Sequence, residues 1–150
     1  PVGSRALMSL RLEKGYGSWG REYSPEYWPH EVGLERLISN KPDFINKDKV
    51  MDVLSQPARE KLVVLKINEA DVLKSNADAL GGEPIFKDGK GVGRVTSGGY
   101  GYSVDMSLAL GFVKGLESGE EVDVMVLGKP HRAIILNEPP FDPESSILRG

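Results

Sequence analysis

The stretch Pro84-Ile-Phe-Lys-Asp-Gly-Lys-Gly-Val-Gly-Arg-Val-Thr-Ser97 is the strongest indication of the fold. Two β-prone segments flank Asp88-Gly89, and this dipeptide supplies the positive φ angles that a type I′ hairpin turn requires. The stretch therefore predicts two antiparallel strands, Pro84–Phe86 and Val92–Ser97. The glycines of the second segment are expected at a bulge or where strands approach closely.

Downstream of this hairpin, apolar residues alternate with a period of two, which indicates further strands. Leu108–Val113 alternates large and small residues, Val122–Val126 carries a valine at every second position, and Ala133–Leu136 follows the turn Gly128-Lys129-Pro130. Three prolines after position 138 end the regular structure, so the C-terminal tail is expected on the surface.

Upstream, Leu62–Ile67 reads as a strand with Val63, Leu65 and Ile67 on one face. Residues 69–82 are polar and predict a long surface connection. Two helices are predicted before these strands, residues 4–14 capped by Ser4 and ended by Gly15, and residues 47–55 capped by Asn46. The predicted class is α+β, mainly β: a small antiparallel β-barrel, or a sandwich, preceded by a helix.

Composition excludes several classes of function. The 150 residues include no cysteine and carry a net charge of −3, with 39% hydrophobic and 27% charged residues. Disulfides and thiolate metal sites are therefore excluded, and no nucleic-acid partner is expected. No apolar run is long enough for a membrane helix, so no membrane partner is expected either. Because the chain opens with Pro1 rather than Met, we expect it to be a fragment.

Generic catalytic and metal motifs do not fit this sequence. The glycine-rich run after Gly89 lacks the order of a phosphate-binding loop. His30 and His131 lie about a hundred residues apart without ligand spacing, and each is expected to be a solvated loop or strand histidine. No nucleophile elbow is formed around Ser18. No catalytic residue and no metal site are predicted.

Several segments together resemble the glycine-cleavage T-protein (aminomethyltransferase) family over essentially the whole chain. They are Ser9-Leu-Arg-Leu-Glu-Lys-Gly-Tyr16, Trp19-Gly20, Pro29-His-Glu-Val-Gly-Leu34, Asp43-Phe-Ile45, Gly81-Gly-Glu-Pro-Ile85, Gly93–Gly101, Leu127-Gly128 and Pro139–Pro143. The variants Glu-Lys-Gly-Tyr, Trp-Gly and Gly-Gly-Tyr-Gly are most similar to sarcosine and dimethylglycine dehydrogenases and oxidases. In those proteins an FAD domain precedes the folate region.

The resemblance implies a domain division and a function. Residues 1–33 would be the end of an upstream folate-binding domain and its hinge, and residues 34–150 the C-terminal barrel. The chain would close the folate channel of an enzyme that transfers a one-carbon unit from glycine, sarcosine or dimethylglycine to tetrahydrofolate. Its partners would be folate, a small N-methylated amino acid and upstream domains of the same polypeptide. The expected location is cytoplasmic, or the mitochondrial matrix in a eukaryote. The activating aspartate and the pterin-binding glutamate would lie before Pro1, so the fragment alone is expected to be inactive.

Four residues map onto possible folate contacts. Arg11 takes the position of the family arginine that meets the glutamyl carboxylates, and a guanidinium fork suits that chemistry. The alternative is an exposed helix arginine paired with Glu13 or a loop acid. Trp19 would pack on the aminobenzoyl ring, close the hinge, or join the core. Glu31 matches a family glutamate, although a structural hydrogen bond to nearby backbone is favoured. Tyr100, expected in a glycine-flanked turn, would face the channel.

Two other functions stay open at this stage. The resemblance includes a non-catalytic relative, the regulatory subunit of pyruvate dehydrogenase phosphatase, so the chain could be an interaction module with the same fold. A folate-dependent demethylase acting on another methyl donor is the other alternative.

Overall fold

A computed structural model describes residues 1–38, 43–75 and 77–150. Its helices and strands follow one another along the chain as α1 (Ser4–Glu13), α2 (Lys47–Ser55), β1 (Lys61–Ile67), α3 (Glu69–Ser75), β2 (Pro84–Lys87), β3 (Lys90–Gly101), β4 (Met106–Val113), β5 (Glu121–Val126), β6 (Lys129–Ile135) and α4 (Ser146–Arg149). Short 3-10 turns occupy Pro29–Glu31 and Glu35–Leu37.

The six strands of the described chain close into one barrel in the order β1-β4-β3-β2-β5-β6, and β6 pairs again with β1. Every pairing is antiparallel. The predicted class, a small antiparallel β-barrel with a helical lead-in, is confirmed, and the sandwich alternative is excluded. Closure pairs every strand on both sides, so the barrel has no free sheet edge.

The barrel interior is filled by the alternating positions that the sequence predicted in β1, β5 and β6. Leu65 and Ile67 of β1 are buried there, with Val63 packed against them. The remaining members of this core come from the other strands and their connections: Ala79, Ile85, Val95, Ala109, Val113, Leu116, Val122, Val124, Val126, Ala133 and Ile135.

Strand β4 is buried on both faces. Its small residue Ala109 points into the barrel core, whereas Leu108 and Leu110 form a second cluster with Leu12 of α1. Phe112, on the same outer face, stacks under Tyr27 with ring centroids 4.0 Å apart. The large residues of the predicted alternation therefore attach the N-terminal segment to the outside of the barrel, because the narrow interior takes the small ones.

The hairpin between β2 and β3 has the predicted turn at Asp88-Gly89. Asp88 and Gly89 have φ angles of 49° and 75°. A register shift between Val95 and Ser97 marks a bulge in β3. A Cβ at Gly93 would overlap the Phe112 carbonyl of the neighbouring strand β4, which confirms the expected close approach of strands.

Two local predictions are wrong and one is incomplete. The predicted surface connection at 69–82 does join β1 to β2, but it contains α3. This helix begins after Asn68, whose Oδ1 accepts a 2.9 Å hydrogen bond from the Ala70 N–H; residue 76 lies outside the described residues. The turn before β6 is Leu127-Gly128, both at positive φ, and the strand already begins at Lys129. Tyr100 lies within β3 rather than in a turn.

The structure confirms where the two predicted helices lie but not the capping predicted for Ser4 and Asn46. α1 begins at Ser4 and α2 follows Asn46, and Gly15 ends α1 with φ 67°. Gly3, not Ser4, is the N-cap of α1, and the Asn46 side chain makes no capping hydrogen bond because its backbone is left-handed. α2 ends at Ser55 before Pro57, as predicted.

Helix α1 is fastened to the barrel and to the C-terminal tail. Ser9 Oγ donates to the Tyr100 carbonyl at 2.7 Å. The Phe141 N–H donates to the Glu13 carbonyl at 3.1 Å, and Lys14 pairs with Asp142. The boundary between residues 33 and 34 stays a prediction, but α1 packs on the barrel through these contacts.

Candidate functional site

The segment that follows α1 is here called the lead-in loop (residues 15–33) and includes the first 3-10 turn, Pro29–Glu31. It carries most of the aromatic residues outside the barrel. At its end nearest α1, the tip turn (residues 18–23) is a compact unit. The Arg21 and Tyr23 N–H groups both donate to the Ser18 carbonyl, at 3.2 and 3.1 Å, and the Gly20 N–H donates to the Tyr23 carbonyl at 2.9 Å. Gly20 has φ 81°, the conformation that favours glycine at the third position of a turn. The tip turn therefore has one fixed backbone geometry.

Arg11 of α1 reaches under the tip turn and holds it. Its Nη1 donates to Glu22 Oε2 at 3.2 Å and to the Tyr16 carbonyl at 3.1 Å, and its Nη2 donates to Ser97 Oγ at 2.7 Å. Nε donates to the Met8 sulfur at 3.3 Å. Only 9% of the Arg11 side chain is exposed. Of the two arrangements that the sequence left open, pairing with a loop acid is the one observed.

Glu22 is the centre of this network and is 0% exposed. Its Oε1 accepts hydrogen bonds from Thr96 and Ser97, each at 2.6 Å, and its Oε2 accepts the Ser18 N–H at 2.8 Å in addition to Arg11. Burial raises the pKa of Glu22. The hydrogen bonds from Ser18, Ser97 and Thr96, with the charge of Arg11, outweigh burial and leave the pKa below its ordinary value. Glu22 is therefore ionised at neutral pH.

Arg21 lies beside Arg11 but is not neutralised in the same way. Its Nη1 reaches the same hydroxyl, Ser97 Oγ, at 3.4 Å. The residue is exposed, and among the described residues it has no acidic partner. Sequence reasoning missed both Arg21 and Glu22, because no spacing pattern in the sequence connects the tip turn with Ser97 on β3.

Trp19, at the tip of the same turn, is 82% exposed. The core-packing alternative for Trp19 is therefore excluded within the described chain. Tyr16 and Trp28 of the lead-in loop are also partly exposed. An exposed tryptophan on a fixed turn offers a large flat contact surface with little conformational entropy to lose on binding.

Glu31 is held in a different part of the lead-in loop. Its Oε2 accepts the Trp28 N–H at 2.9 Å and Arg59 Nη2 at 2.7 Å, and its Oε1 accepts Arg59 Nε at 2.7 Å. Its side chain is 1% exposed, whereas that of Arg59 is 60% exposed. The hydrogen bonds with Arg59 lower the pKa of Glu31 to about 2. The favoured structural hydrogen bond to backbone is confirmed; ligand contact by Glu31 stays a prediction.

Tyr100 lies further along β3. Its hydroxyl donates to Asp105 Oδ1, which raises the pKa of Tyr100 to about 12. Its ring meets Tyr102 edge-on, with centroids 5.1 Å apart. Within the described residues, no hydrogen bond joins any two of Arg11, Trp19, Glu31 and Tyr100. Arg11 contacts the tip turn through Glu22 and Trp19 belongs to that turn, whereas the hydrogen bonds of the Glu31 and Tyr100 side chains are made elsewhere.

The large groove of about 620 Å³ lies between the lead-in loop, β1 and the C-terminal tail. Its lining includes Tyr16, Tyr23 and Leu136, and none of the four predicted residues contributes to it. The lysines along it, Lys14 and Lys61, are paired with Asp142 and Glu117. Of the tip turn, Tyr23 alone contributes to the lining described for this groove, and Trp19 does not.

The histidines form no metal site in the described part of the chain, where no group of three potential ligands occurs. His131 is 1% exposed, so its prediction as a solvated residue is wrong: alternation in β6 turns it inward together with Ala133 and Ile135. Its Nδ1, like that of His30, is buried without a hydrogen-bond partner in the described structure.

No helix of the described residues has the length and apolarity needed to cross a membrane.

The family model and the similar proteins all indicate the same family. The family model of the glycine cleavage T-protein C-terminal barrel domain matches residues 61–142. The human mitochondrial dimethylglycine dehydrogenase is 40% identical over 141 residues, covering 91% of this chain and 16% of that protein. The aminomethyltransferase of Thermotoga neapolitana is 29% identical over 140 residues, covering 93% of this chain and 37% of that protein.

A solved structure agrees with these relatives. The glycine cleavage system aminomethyltransferase T from Bartonella henselae superposes with a TM-score of 0.80 at 27% identity, covering 95% of this chain and 40% of that chain. The chain thus spans well under half the length of the relatives it matches. The family model matches more than half of the chain, and the structure has the closed barrel that the family's description names. This chain therefore belongs to the glycine cleavage T-protein C-terminal barrel domain family.

Proposed function

We propose that this chain is the folate-side C-terminal portion of a tetrahydrofolate-dependent enzyme of the aminomethyltransferase type. In the proposed reaction, a one-carbon unit from glycine, sarcosine or dimethylglycine passes to tetrahydrofolate. The relatives that support this are named aminomethyltransferase and dimethylglycine dehydrogenase. Because the chain spans only part of each, the activity, the amino-acid substrate and any FAD domain belong to the proposal.

The observation that carries the proposal is the chemistry of the tip turn. Tetrahydrofolate has a flat aminobenzoyl ring and a glutamyl tail with carboxylates. The tip turn carries an exposed indole, Trp19, and it adjoins a cluster in which Arg11 and Arg21 share Ser97 while Glu22 supplies one negative charge. An aromatic surface beside a net positive charge fits this end of the cofactor. The residues present therefore fit the group: Arg11 holds the tip turn through Glu22, and Trp19 is exposed on the same turn.

The role we propose for the chain is binding rather than catalysis. The tip turn forms one wall of the folate site, and the opposite wall would come from other domains of the same polypeptide. No residue of the tip turn is placed to move a proton, since Glu22 is saturated with donors and the arginines stay charged. Glu31 and Tyr100 remain predicted contacts without a demonstrated link to this wall. A cytoplasmic or mitochondrial matrix location also remains part of the proposal.

Calorimetric titration with 5-formyltetrahydrofolate tests the proposal, using the natural polypeptide that carries these residues at its full natural length. We expect binding, and we expect Arg11→Ala to weaken it by about tenfold or more, because the tip turn loses the charged hydrogen bonds of Arg11 to Glu22 and Ser97 that hold its geometry. Arg132→Ala is the matched control, since Arg132 is an exposed arginine paired on the distant β5–β6 hairpin. Unchanged affinity in Arg11→Ala would remove Arg11 from the site.

A second readout concerns the reaction. The same polypeptide should form 5,10-methylenetetrahydrofolate from tetrahydrofolate and one of the N-methylated glycines or glycine. Folate binding without any such product would support a non-catalytic module of the same fold, and absence of folate binding would overturn the proposal.

A further inference from the structure

The arginine that the family resemblance favours, Arg11, has few donors left for a ligand. A guanidinium has five N–H groups, and Arg11 uses its donors on Met8, Tyr16, Glu22 and Ser97. Its charge is compensated by Glu22, which has no access to solvent. Pulling Arg11 away would leave a buried carboxylate unpaired, which is strongly unfavourable. Arg11 is therefore bound into the fold.

Arg21 has the opposite properties. Arg21 is exposed, and within the described residues its side chain makes one hydrogen bond, the long 3.4 Å contact to the Ser97 hydroxyl. Ser97 Oγ also accepts Arg11 Nη2 and donates to Glu22. Two guanidinium groups and one carboxylate thus meet at a single hydroxyl, and one positive charge is left over. Within the described residues, that charge belongs to Arg21.

The backbone around Arg21 is already in place. Its N–H is bonded to the Ser18 carbonyl, and the next residue, Glu22, is anchored on β3 through Thr96 and Ser97. Lys14, the next cation after Arg11 along the chain, does not compete, because it is paired with Asp142. A fixed backbone with a free planar cation is suited to two parallel hydrogen bonds to a carboxylate.

Trp19 stands two residues before Arg21 on the same turn and is the most exposed aromatic ring of the lead-in loop. We propose that Arg21 is the residue that binds a ligand carboxylate at this site, that Trp19 covers the adjoining aromatic ring, and that Arg11 and Glu22 are the positioning pair that holds both. The ligand class is an aromatic acyl-amino acid, which in the proposed function is the benzoyl-glutamate end of tetrahydrofolate. The inference rests on that function for the ligand's identity but not for its chemical class.

The experiment compares three probes by calorimetry on the full-length natural polypeptide. They are 5-formyltetrahydrofolate, the corresponding tetrahydropteroate that lacks the glutamate, and p-aminobenzoyl-L-glutamate. We expect Arg21→Gln to weaken binding of the two glutamate-bearing probes by about tenfold, as for a lost charge-assisted pair, and to leave the pteroate unchanged. Arg21→Lys should recover part of the loss, since it restores the charge without the fork. Arg132→Gln is the matched control.

The positioning role has its own readout. In Glu22→Gln the exchange of the Ser18 amide hydrogen should accelerate, because the Ser18 N–H donates to Glu22, and all three probes should bind more weakly. Arg21→Gln should leave this exchange and the thermal midpoint unchanged. An Arg21→Gln protein whose Ser18 amide exchanges as fast as that of Glu22→Gln would overturn the division of roles between the two residues.

The outcomes separate this inference from the proposed function. If the wild type prefers folate over pteroate and Arg21→Gln keeps that preference, the inference is wrong and the function stands. If the wild type shows no preference for the glutamate, the inference is also wrong. If p-aminobenzoyl-L-glutamate binds through Arg21 but the two pterin compounds bind no better than it does, the inference stands and the function is wrong. If no probe binds, both are wrong.

Discussion

The barrel and the lead-in loop are stabilised by different kinds of contact. Inside the barrel, side chains from all six described strands form one apolar cluster. The lead-in loop is instead fixed by buried carboxylates, Glu22 on Arg11 and Glu31 on Arg59. Apolar packing tolerates many sequences of similar volume, whereas a buried ion pair loses its balance when either partner changes. The barrel thus provides the scaffold, and the polar contacts set the geometry of the candidate site.

The largest effect is expected for a truncation inside the barrel. Leu65→Ala removes a fully buried side chain from β1, and we expect the free energy of unfolding to fall by about 3–4 kcal/mol, as for other large-to-small core substitutions. Leu65→Met, which conserves volume, should cost less than about 1.5 kcal/mol. Urea denaturation checks both. A loss equal in the two variants would mean that volume does not determine the stability of the barrel.

A smaller and more local effect is expected for Glu22→Ala. Removing the carboxylate leaves Arg11 without its charge partner at 9% exposure, and we expect a loss of roughly 3 kcal/mol. Amide hydrogen exchange should become faster at Ser18 and Tyr23. The amides of the β1–β4 ladder should exchange only through global unfolding, at the rate set by the stability of the variant. Uniform acceleration across the barrel would contradict the contrast between the two regions.

The pair of Glu31 and Arg59 should be visible in the pH dependence of stability. The folded-state pKa of Glu31 is lowered from 4.5 to about 2. Its contribution is therefore complete above about pH 4.5 and is lost as the pH falls from there towards 2. We expect about 2 kcal/mol, allowing for the exposure of Arg59. Glu31→Gln should lack this part of the acid-induced loss, and an identical profile in wild type and variant would rule out the pair as its source.

The smallest predicted effect is a gain. Leu127 is exposed and adopts φ 48° in the turn before β6, a conformation that costs a non-glycine residue energy. Leu127→Gly should raise the free energy of unfolding by about 0.5–1 kcal/mol. Gly128→Leu at φ 75° is the matched opposite change and should lower it. Thermal unfolding of the two variants compares the signs.

The elements that could be predicted from the sequence are those that depend on local patterns. The hairpin at Asp88-Gly89, the alternating strands β1 and β5, and helix α2 follow from local patterns, and the structure has them. Helix α3 escaped because its polar residues lack an apolar period, and its start depends on the cap from Asn68. The burial of His131 depends on the register of β6, which begins earlier than the proline at 130 suggested.

The candidate site was predictable only in part. Motif resemblance pointed to Arg11 and Trp19, and the structure places both at the tip turn. The partners that determine their roles, Glu22, Ser97 and Arg21, meet through contacts that span 75 or more positions along the chain. Local periodicity carries no information about a contact between a loop and a strand so far apart in sequence. The structure was therefore needed to show that Arg11 is paired with Glu22 whereas Arg21 is not.

The most direct test of this account is a crystal structure of the full-length natural polypeptide with 5-formyltetrahydrofolate bound. We expect a glutamate carboxylate of the ligand to lie within hydrogen-bond distance of the Arg21 guanidinium, with the benzoyl ring against Trp19 and the Arg11–Glu22 pair intact. A ligand carboxylate on Arg11 with Glu22 displaced, or a ligand that leaves the tip turn untouched, would contradict it.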